Sequence, residues 1–339
     1  MKKQTLLITG ASGEIGHGLI NEYAKRGAFI VAADLKDPDE SLLPSIDYFK
    51  KGDVSDPEAL KVLFRKFDFD VVFHLASMLS TSGERDPVKS HHVNTDGAIY
   101  ALKYAEEHSR AQEKRVKFIF PSSIAVYGMP DLPTKAKAGK VNEDQFLTPG
   151  TSYGCNKIYI ELLGNYFSKY FQKYPKYGTA GYLDFRVIRF PGIISADTIP
   201  SGGTSDFGPE MLHAAAQGKP YECFVRADTQ IPFMVMPDAI DALTKLTNAP
   251  RAKLSRHVYN VNSFSVTAAE IAEIAKKAFP GFKISYKPDQ KRQSIVDSWP
   301  TDIDDSAARK DWGFAPVFDK KDSFEKYLLP TITRRYKQK

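Results

Sequence analysis

Tyr153 and Lys157 stand four positions apart in the run Tyr153-Gly154-Cys155-Asn156-Lys157. On a helix that spacing puts both side chains on one face. A tyrosine hydroxyl titrates near 10, so work as a base near neutral pH needs a fall of roughly three units, about 4 kcal/mol. A cation about 4 Å away, at an effective dielectric near 20, supplies about that much. The pair therefore reads as a phenolate base with Lys157 lowering its pKa. A plain surface helix pair is the bland alternative. Ser123, in Ser122-Ser123, follows the apolar run Lys117–Phe120. A serine at the carboxyl end of a parallel strand lies where open α/β sheets bind ligands. There it can hydrogen-bond the oxygen that loses its proton to Tyr153; capping a turn is its simpler role.

A second constellation sits at the start of the chain. Gly10-Ala11-Ser12-Gly13-Glu14-Ile15-Gly16 follows the apolar run Thr5–Thr9 and opens a helical stretch, Glu14–Arg26. Glycines there allow a tight turn and close approach of backbone to a diphosphate. The helix N-terminus offers free N–H groups to that anion. Asp34 ends the next apolar run, Phe29–Ala33, 18 residues after Gly16. A carboxylate there accepts hydrogen bonds from a ribose and repels a 2′-phosphate, which predicts NAD rather than NADP.

The elements needed to position these groups alternate. Strands are predicted at Thr5–Thr9, Phe29–Ala33, Val71–Ala76, Lys117–Phe120 and Asp184–Phe190. Between them come helices at Glu14–Arg26, Asp56 to Lys66, His92–His108 and Tyr153–Phe171. That alternation predicts an α/β fold, a Rossmann-type doubly wound parallel sheet with a smaller α/β substrate-binding lobe. Helices are also predicted at Glu210–Gln217, Pro237–Thr247 and Thr267–Phe279, the last with Thr267 and Glu270 as a capping box. A short strand is expected at Ile284–Lys287, and Pro130–Gly150 reads as an exposed loop. Residues 1–194 and 231–262 are assigned to the dinucleotide-binding domain, 195–230 and 263–330 to the substrate lobe, and 331–339 to a C-terminal tail.

Taken together, the glycine turn, Asp34, Asp53-Val54, His74-Leu75-Ala76, Ser122-Ser123 and Tyr153 with Lys157 resemble the extended short-chain dehydrogenase/reductase family. That family includes nucleotide-sugar epimerases, dehydratases and dehydrogenases. The resemblance implies NAD as cofactor, its diphosphate held by Gly10, Ser12, Gly13, Glu14, Ile15 and Gly16. It implies Asp34 on the ribose, Asp53 and Val54 flanking the adenine, and Leu75, Ala76 and Pro191 lining the cleft. Lys157 would bind the nicotinamide ribose, Tyr153 would be the base and Ser123 its partner. Later motifs, among them Gly202-Gly203-Thr204-Ser205-Asp206 and Asp297-Ser298-Trp299-Pro300, are similar to the threonine-oxidising branch of the family. The substrate implied is L-threonine or a similar β-hydroxy amino acid. Its charged ends would meet Ser80, Thr81, Gly202, Thr204 and Ser205, with Trp299 capping the pocket. The family also implies a homodimer, built as a four-helix bundle from His92–His108 and Tyr153–Phe171 of each copy. Pro130–Gly150 is longer than the corresponding loop expected in the family.

Composition narrows the remaining classes. The chain has 339 residues, 42% hydrophobic and 26% charged, typical of a globular protein. Lys and Arg number 47 against 41 Asp and Glu, a surplus of +6 without a dense basic block, which argues against a nucleic-acid surface. No apolar run reaches the roughly 18 residues of a membrane span. Cys155 and Cys223 are too few to staple the chain, so a reduced, cytoplasmic setting is expected. No metal is expected: around His74, His91 and His92 the sequence shows no carboxylate or cysteine at ligand spacing. Two other readings stand beside the leading one, a nucleotide-sugar epimerase or dehydratase and a non-catalytic NAD sensor. Intact Ser123, Tyr153 and Lys157 weigh against the sensor.

Overall fold

The aliphatic runs do form the centre of the molecule. In the computed structural model, which describes residues 3–171, 182–200 and 202–337, seven strands pair side by side. They are β1 (Thr5–Thr9), β2 (Phe29–Asp34), β3 (Tyr48–Lys51), β4 (Val71–His74), β5 (Lys117–Ser123), β6 (Asp184–Phe190) and β7 (Val258–Asn260). Every pairing is parallel, and the order across the sheet is β7-β6-β5-β4-β1-β2-β3. Parallel sheets are covered on both faces, so their inner strands are apolar throughout. Leu6–Ile8 and Val71–Phe73 accordingly have no exposed surface.

One face carries α1 (Glu14–Lys25) and the helix Met236–Asn248, whose Leu19, Ile20, Tyr23, Ala239 and Leu243 share a core with β1 and β2. The other carries α2 (Pro57–Lys66), α3 (Gly97–Ala111) and α4 (Ser152–Lys169), which bury Leu63, Ala101, Leu102, Ile160 and Phe167. This is the doubly wound α/β sheet that the alternating pattern predicts. The strand order reverses between β1 and β4, and the crevice beyond their carboxyl ends is the ligand position of such sheets.

Local signals account for the helix starts. Asp56 accepts from Glu58 N at 3.0 Å with Pro57 in the first turn, and Thr151 accepts from Gly154 N at 3.0 Å. The capping box of Thr267 and Glu270 is present as expected. Apart from the central sheet, a three-stranded sheet pairs Gly192–Ile194 and Gln230–Val235, mostly assigned above to the dinucleotide-binding domain, with Phe264–Thr267, and it packs with the helices Phe207–Ala216 and Ala268–Ala278 of the smaller lobe. The stretch from 331, expected as a tail, instead belongs to the helix Leu329–Lys337, because its apolar Ile332 docks into this lobe's core and Tyr336 Oη lies 2.9 Å from His213 Nδ1.

Several segments depart from the sequence reading. The edge strands β3 and β7 are short, and β3 is half polar, so neither stands out from its surroundings. The stretch from His92 begins as a wide π-type turn over His92–Asp96 before α3 starts at Gly97. Pro130–Gly150 is not simply an exposed loop. It contains a helix, Leu132–Ala138, and a two-residue strand, Lys140–Val141, paired with Asp302–Ile303. Asp131 caps that helix at Thr134 N, 2.7 Å away. Lys135 is buried there; its Nζ donates to Val296 O at 2.9 Å, and burial pushes its pKa down to about 8.

A buried ion pair ties α4 to the sheet. Arg189 on β6 donates Nε and Nη2 to Glu161 on α4, at 2.9 and 2.6 Å, and both side chains are almost wholly buried. The Nη1 of Arg189 reaches Tyr127 Oη at 3.0 Å and Glu143 O at 2.7 Å. Tyr127 Oη in turn donates to Asn260 Oδ1 at 2.7 Å. Removing one partner of such a pair strands the other charge in a low dielectric. Glu161→Ala is expected to lower the unfolding free energy by about 3–5 kcal/mol. Urea unfolding measures it, and a loss under about 1 kcal/mol would mean that the pair does not anchor the helix.

Candidate active site

Close backbone approach puts the catalytic candidates together. A Cβ on Gly154 would collide with the carbonyl of Ala125, just beyond β5, so glycine lets the first turn of α4 pack against that strand end. Ser123 closes β5 in extended conformation, and its Oγ accepts from Ala125 N at 3.1 Å. The same hydroxyl lies close enough to the Tyr153 side chain to lower its pKa. Desolvation pushes the Tyr153 hydroxyl up to about 12, and Ser123 pulls it back only in part.

Lys157 lies one turn further along α4. Its Nζ donates to Pro121 O at 2.8 Å and sits 4.5 Å from the Phe120 ring centre and 5.4 Å from that of Tyr153. Burial pushes this lysine down to about 7, while Glu161 pulls it up. The spacing leads one to expect a tyrosine lowered by the lysine; the net shift of Tyr153 is upward. The cause is physical: desolvation penalises the phenolate and the ammonium alike, and Lys157 is aimed at a backbone carbonyl.

The glycine turn has the shape of an anion seat. Gly10 has φ +68°, and a Cβ there would lie 2.6 Å from Ala76 N. Gly13 is the N-cap of α1 and makes no side-chain cap, so no side chain of the cap competes for the first N–H groups of the helix. Such free N–H groups fit a diphosphate. Gly16 packs against the carbonyl of Ala11, and Ser12 Oγ donates to Lys36 O at 2.9 Å. Asp34 ends β2, where its two oxygens accept from Ser12 N and Lys36 N, each at 2.9 Å. Asp53 and Val54 line a recess with Ala33 and Gly52. Leu75 and Ala76 follow β4, bonded to Thr9 O at 3.1 Å and Thr9 Oγ1 at 3.4 Å. Pro191 is buried between β6 and the smaller lobe's first strand. Ile15, half-buried, packs from α1 onto the core below.

Across the crevice, the smaller lobe brings polar groups onto the segment after β4. Ser80 Oγ and Thr204 Oγ1 are 2.9 Å apart, and Thr81 Oγ1 donates to Gly202 O at 3.0 Å. Asp206 shapes that loop by accepting from Gly202 N at 2.9 Å and Gly203 N at 2.6 Å. Ser205 packs against Gly192. Helix Ser80–Arg85 abuts the first turn of α4, since a Cβ on Gly83 would lie 3.9 Å from that of Tyr153. Trp299 is placed differently from a pocket cap: it is only 4% exposed and lies within the smaller lobe's core.

Several residues of the site escape sequence reading. Asn94 shapes the segment after Ala76, accepting from Met78 N at 2.6 Å and Ser77 Oγ at 3.1 Å. Its only signal is a buried polar side chain just ahead of a face that continues with Ala98 and Ala101. Thr198 reaches Glu14 across the crevice, Oγ1 to Oε1 at 2.5 Å. His74 bonds Thr9 Oγ1 at 2.9 Å, and burial pushes it down to about 3, so it stays neutral. The expectation of no carboxylate beside His91 and His92 is corrected: Asp96 Oδ2 is 2.7 Å from His92 Nδ1, and Asp96 Oδ1 is 3.7 Å from His91 Nε2. The i,i+4 spacing of His92 and Asp96 carries this contact.

Comparison with known proteins points the same way. The chain is 34% identical over 319 residues to the mitochondrial L-threonine 3-dehydrogenase of Bos taurus, covering 94% of this chain and 80% of that protein. A monomeric L-threonine 3-dehydrogenase from a metagenome, in its apo form, superposes with a TM-score of 0.84 at 36% identity, over 98% of this chain and 99% of that one. The holo form of a GalE-like L-threonine dehydrogenase from Cupriavidus necator gives 0.81 at 32% identity, over 96% and 99%. The profile of the NAD dependent epimerase/dehydratase family matches residues 6–262. The chain belongs to that family and is an NAD-dependent oxidoreductase, with NAD as its cofactor.

Proposed function

We propose that the protein oxidises the β-hydroxyl of L-threonine to give 2-amino-3-oxobutanoate, with Tyr153 as base. The observation that carries this is the meeting of Tyr153 and Ser123 with Ser80, Thr81, Gly202 and Thr204 around one crevice. A hydroxyl-oxidising pair thus faces a short polar loop, which suits a small zwitterion. The likeness to threonine dehydrogenases over nearly the whole of both chains supports the same reading.

The residues divide the work. The α1 N-terminus and the turn at Gly10, Ser12, Gly13, Glu14, Ile15 and Gly16 hold the diphosphate, and Asp34 accepts from the adenosine ribose. Asp53 and Val54 flank the adenine; Leu75, Ala76 and Pro191 line the cleft; Lys157 donates to the second ribose. When bound, NAD supplies the acceptor for the hydride that leaves the β-carbon. Tyr153, as phenolate, takes the hydroxyl proton. Ser123 Oγ donates to the oxygen as it becomes a carbonyl, which steadies the charge developing there. Ser80, Thr81, Gly202, Thr204 and Ser205 orient the carboxylate and ammonium, and Trp299 backs the pocket from the lobe core.

A dimer belongs to the same proposal. Tyr159, Leu162, Tyr166 and Tyr170 are all exposed along α4 and its end, Leu162 to 65%. A second copy packing α3 and α4 against this face would cover them. One similar threonine dehydrogenase is described as monomeric, so the question is open to measurement. Sedimentation is expected to give twice the chain mass and Leu162→Glu a single chain; a monomeric wild type would end the dimer reading.

NADH formation with L-threonine and NAD tests the reaction, beside NADP, D-threonine, L-serine and Tyr153→Phe. Turnover with L-threonine and NAD is expected, falling by at least about 10²-fold in Tyr153→Phe. No turnover with any amino acid, in protein shown to bind NAD, would sink the assignment and turn attention to sugar nucleotides.

The pH profile follows from the site's charges. With the Tyr153 hydroxyl held near 12, phenolate is scarce at neutral pH and grows about tenfold per pH unit. The kcat/KM for oxidation is therefore expected to rise above pH 7, but by less than tenfold per unit, because Lys157, held near 7, loses its ammonium over the same range. Ser123→Ala removes the hydroxyl that lowers the tyrosine, so its rising limb moves to higher pH. A flat wild-type profile would remove Tyr153 as the base.

A further inference from the structure

The seat prepared for the diphosphate carries an acid, and that acid bridges the crevice. Glu14 is the first residue of α1, and its Oε1 accepts from Thr198 Oγ1 at 2.5 Å. Thr198 lies between the strand Gly192–Ile194 and the loop that presents Gly202, Thr204 and Ser205. A single hydrogen bond thus joins the turn under the diphosphate to the wall facing it. The cleft around the carboxyl raises the pKa of Glu14, chiefly by desolvation; the Thr198 bond lowers it, and the nearby Asp206 raises it.

The positive end of a helix favours one anion. In the free protein the Glu14 carboxylate already takes part of that field, so an incoming diphosphate must share it. Like charges brought to the same helix end repel, the more so where water is partly excluded. The hydrogen bond acts the other way, since it must break for the walls to separate.

We propose that Glu14 is a positioning residue that sets how fast the cofactor is exchanged: its bond to Thr198 holds the cleft closed over the dinucleotide, and its charge loosens the grip on the diphosphate. This rests on the dehydrogenase reading above. An enzyme that produces NADH must release it at every turnover, whereas an epimerase restores its cofactor in place. A neutral residue at position 14 would retain the dinucleotide too well for that cycle.

The two parts of the device are separable by substitution. Glu14→Gln keeps an acceptor oxygen for Thr198 and removes the charge. Thr198→Val keeps the charge and removes the bond, while Thr198→Ser restores the hydroxyl. Binding and dissociation of NADH, followed by its fluorescence without any substrate, are the readout. Glu14→Gln is expected to bind NADH about tenfold more tightly, mainly through slower release. Thr198→Val is expected to release NADH several-fold faster, and Thr198→Ser to return to the wild-type rate. A merely structural role would weaken retention in both Glu14→Gln and Thr198→Val. The proposal is overturned if the two variants shift release in the same direction, or if neither shifts it by more than about twofold. The readout needs no amino acid, so it stands apart from the threonine assay: turnover can fail while the opposed shifts appear, and the reverse.

Discussion

The hold of the sheet on helix α4 governs this molecule. Tyr153, Lys157 and Glu161 follow each other at successive turns on one face of that helix. The last is locked to Arg189 on β6, and the first sits where glycine at 154 lets the helix touch the end of β5. Between these two fixed points Lys157 has little choice of direction, and its Nζ meets the carbonyl of Pro121. A buried ion pair is weak evidence for stability in itself, because desolvation offsets much of its attraction. Its value here is geometric. It fixes the rotation of the helix about its axis, and with it the aim of Tyr153 and Lys157.

Burial also fixes the resting charge of the site. Tyr153 is pushed up and Lys157 down, so desolvation makes the neutral forms of both the favoured ones near pH 7 or above. A phenolate in such a place is a strong base because nothing solvates it, and it forms only when positive charge is brought close. Lys157 keeps the means to supply that charge: Glu161 pulls its pKa back up, and the Pro121 carbonyl and Phe120 ring both accept an ammonium. The same helix face therefore keeps the Tyr153 hydroxyl protonated at rest and carries the cation that can lower it.

The sequence is most legible where a function needs neighbours close in the chain. The glycine turn, the acid ending the second strand, and the Tyr153 and Lys157 pair are local patterns, and the period of the apolar runs places them on strand ends and a helix. What escaped depends on partners far away. The helix in Pro130–Gly150 is held by Lys135 reaching Val296, 161 residues on, and the strand beside it by Asp302 and Ile303. Thr198 is 184 residues from Glu14. Asn94 acts on the backbone at Met78 through a wide turn that no apolar period announces. Edge strands such as β3 bury too little on either face to leave a pattern. Trp299 shows the opposite error, since a large aromatic in a motif near a pocket belongs as easily to the core behind it.

The crevice has two walls held in different ways. One wall is the sheet's carboxyl edge, where Ser123 and the glycine turn are set by parallel strands buried on both faces. The other is a loop held by a few polar contacts: Ser80 with Thr204, Thr81 with Gly202, and Glu14 with Thr198. Such hydrogen bonds contribute only about 0.5–1.5 kcal/mol each, so three of them bias closure by no more than a few kcal/mol. A ligand shifts an equilibrium by its differential affinity for the two states, and a bias of that size is within reach of a small amino acid or a dinucleotide. A tighter loop would trap what it binds, and a looser one would leave the crevice open to water. The contacts between the walls are polar and few, which lets one loop both orient a substrate and let the product go.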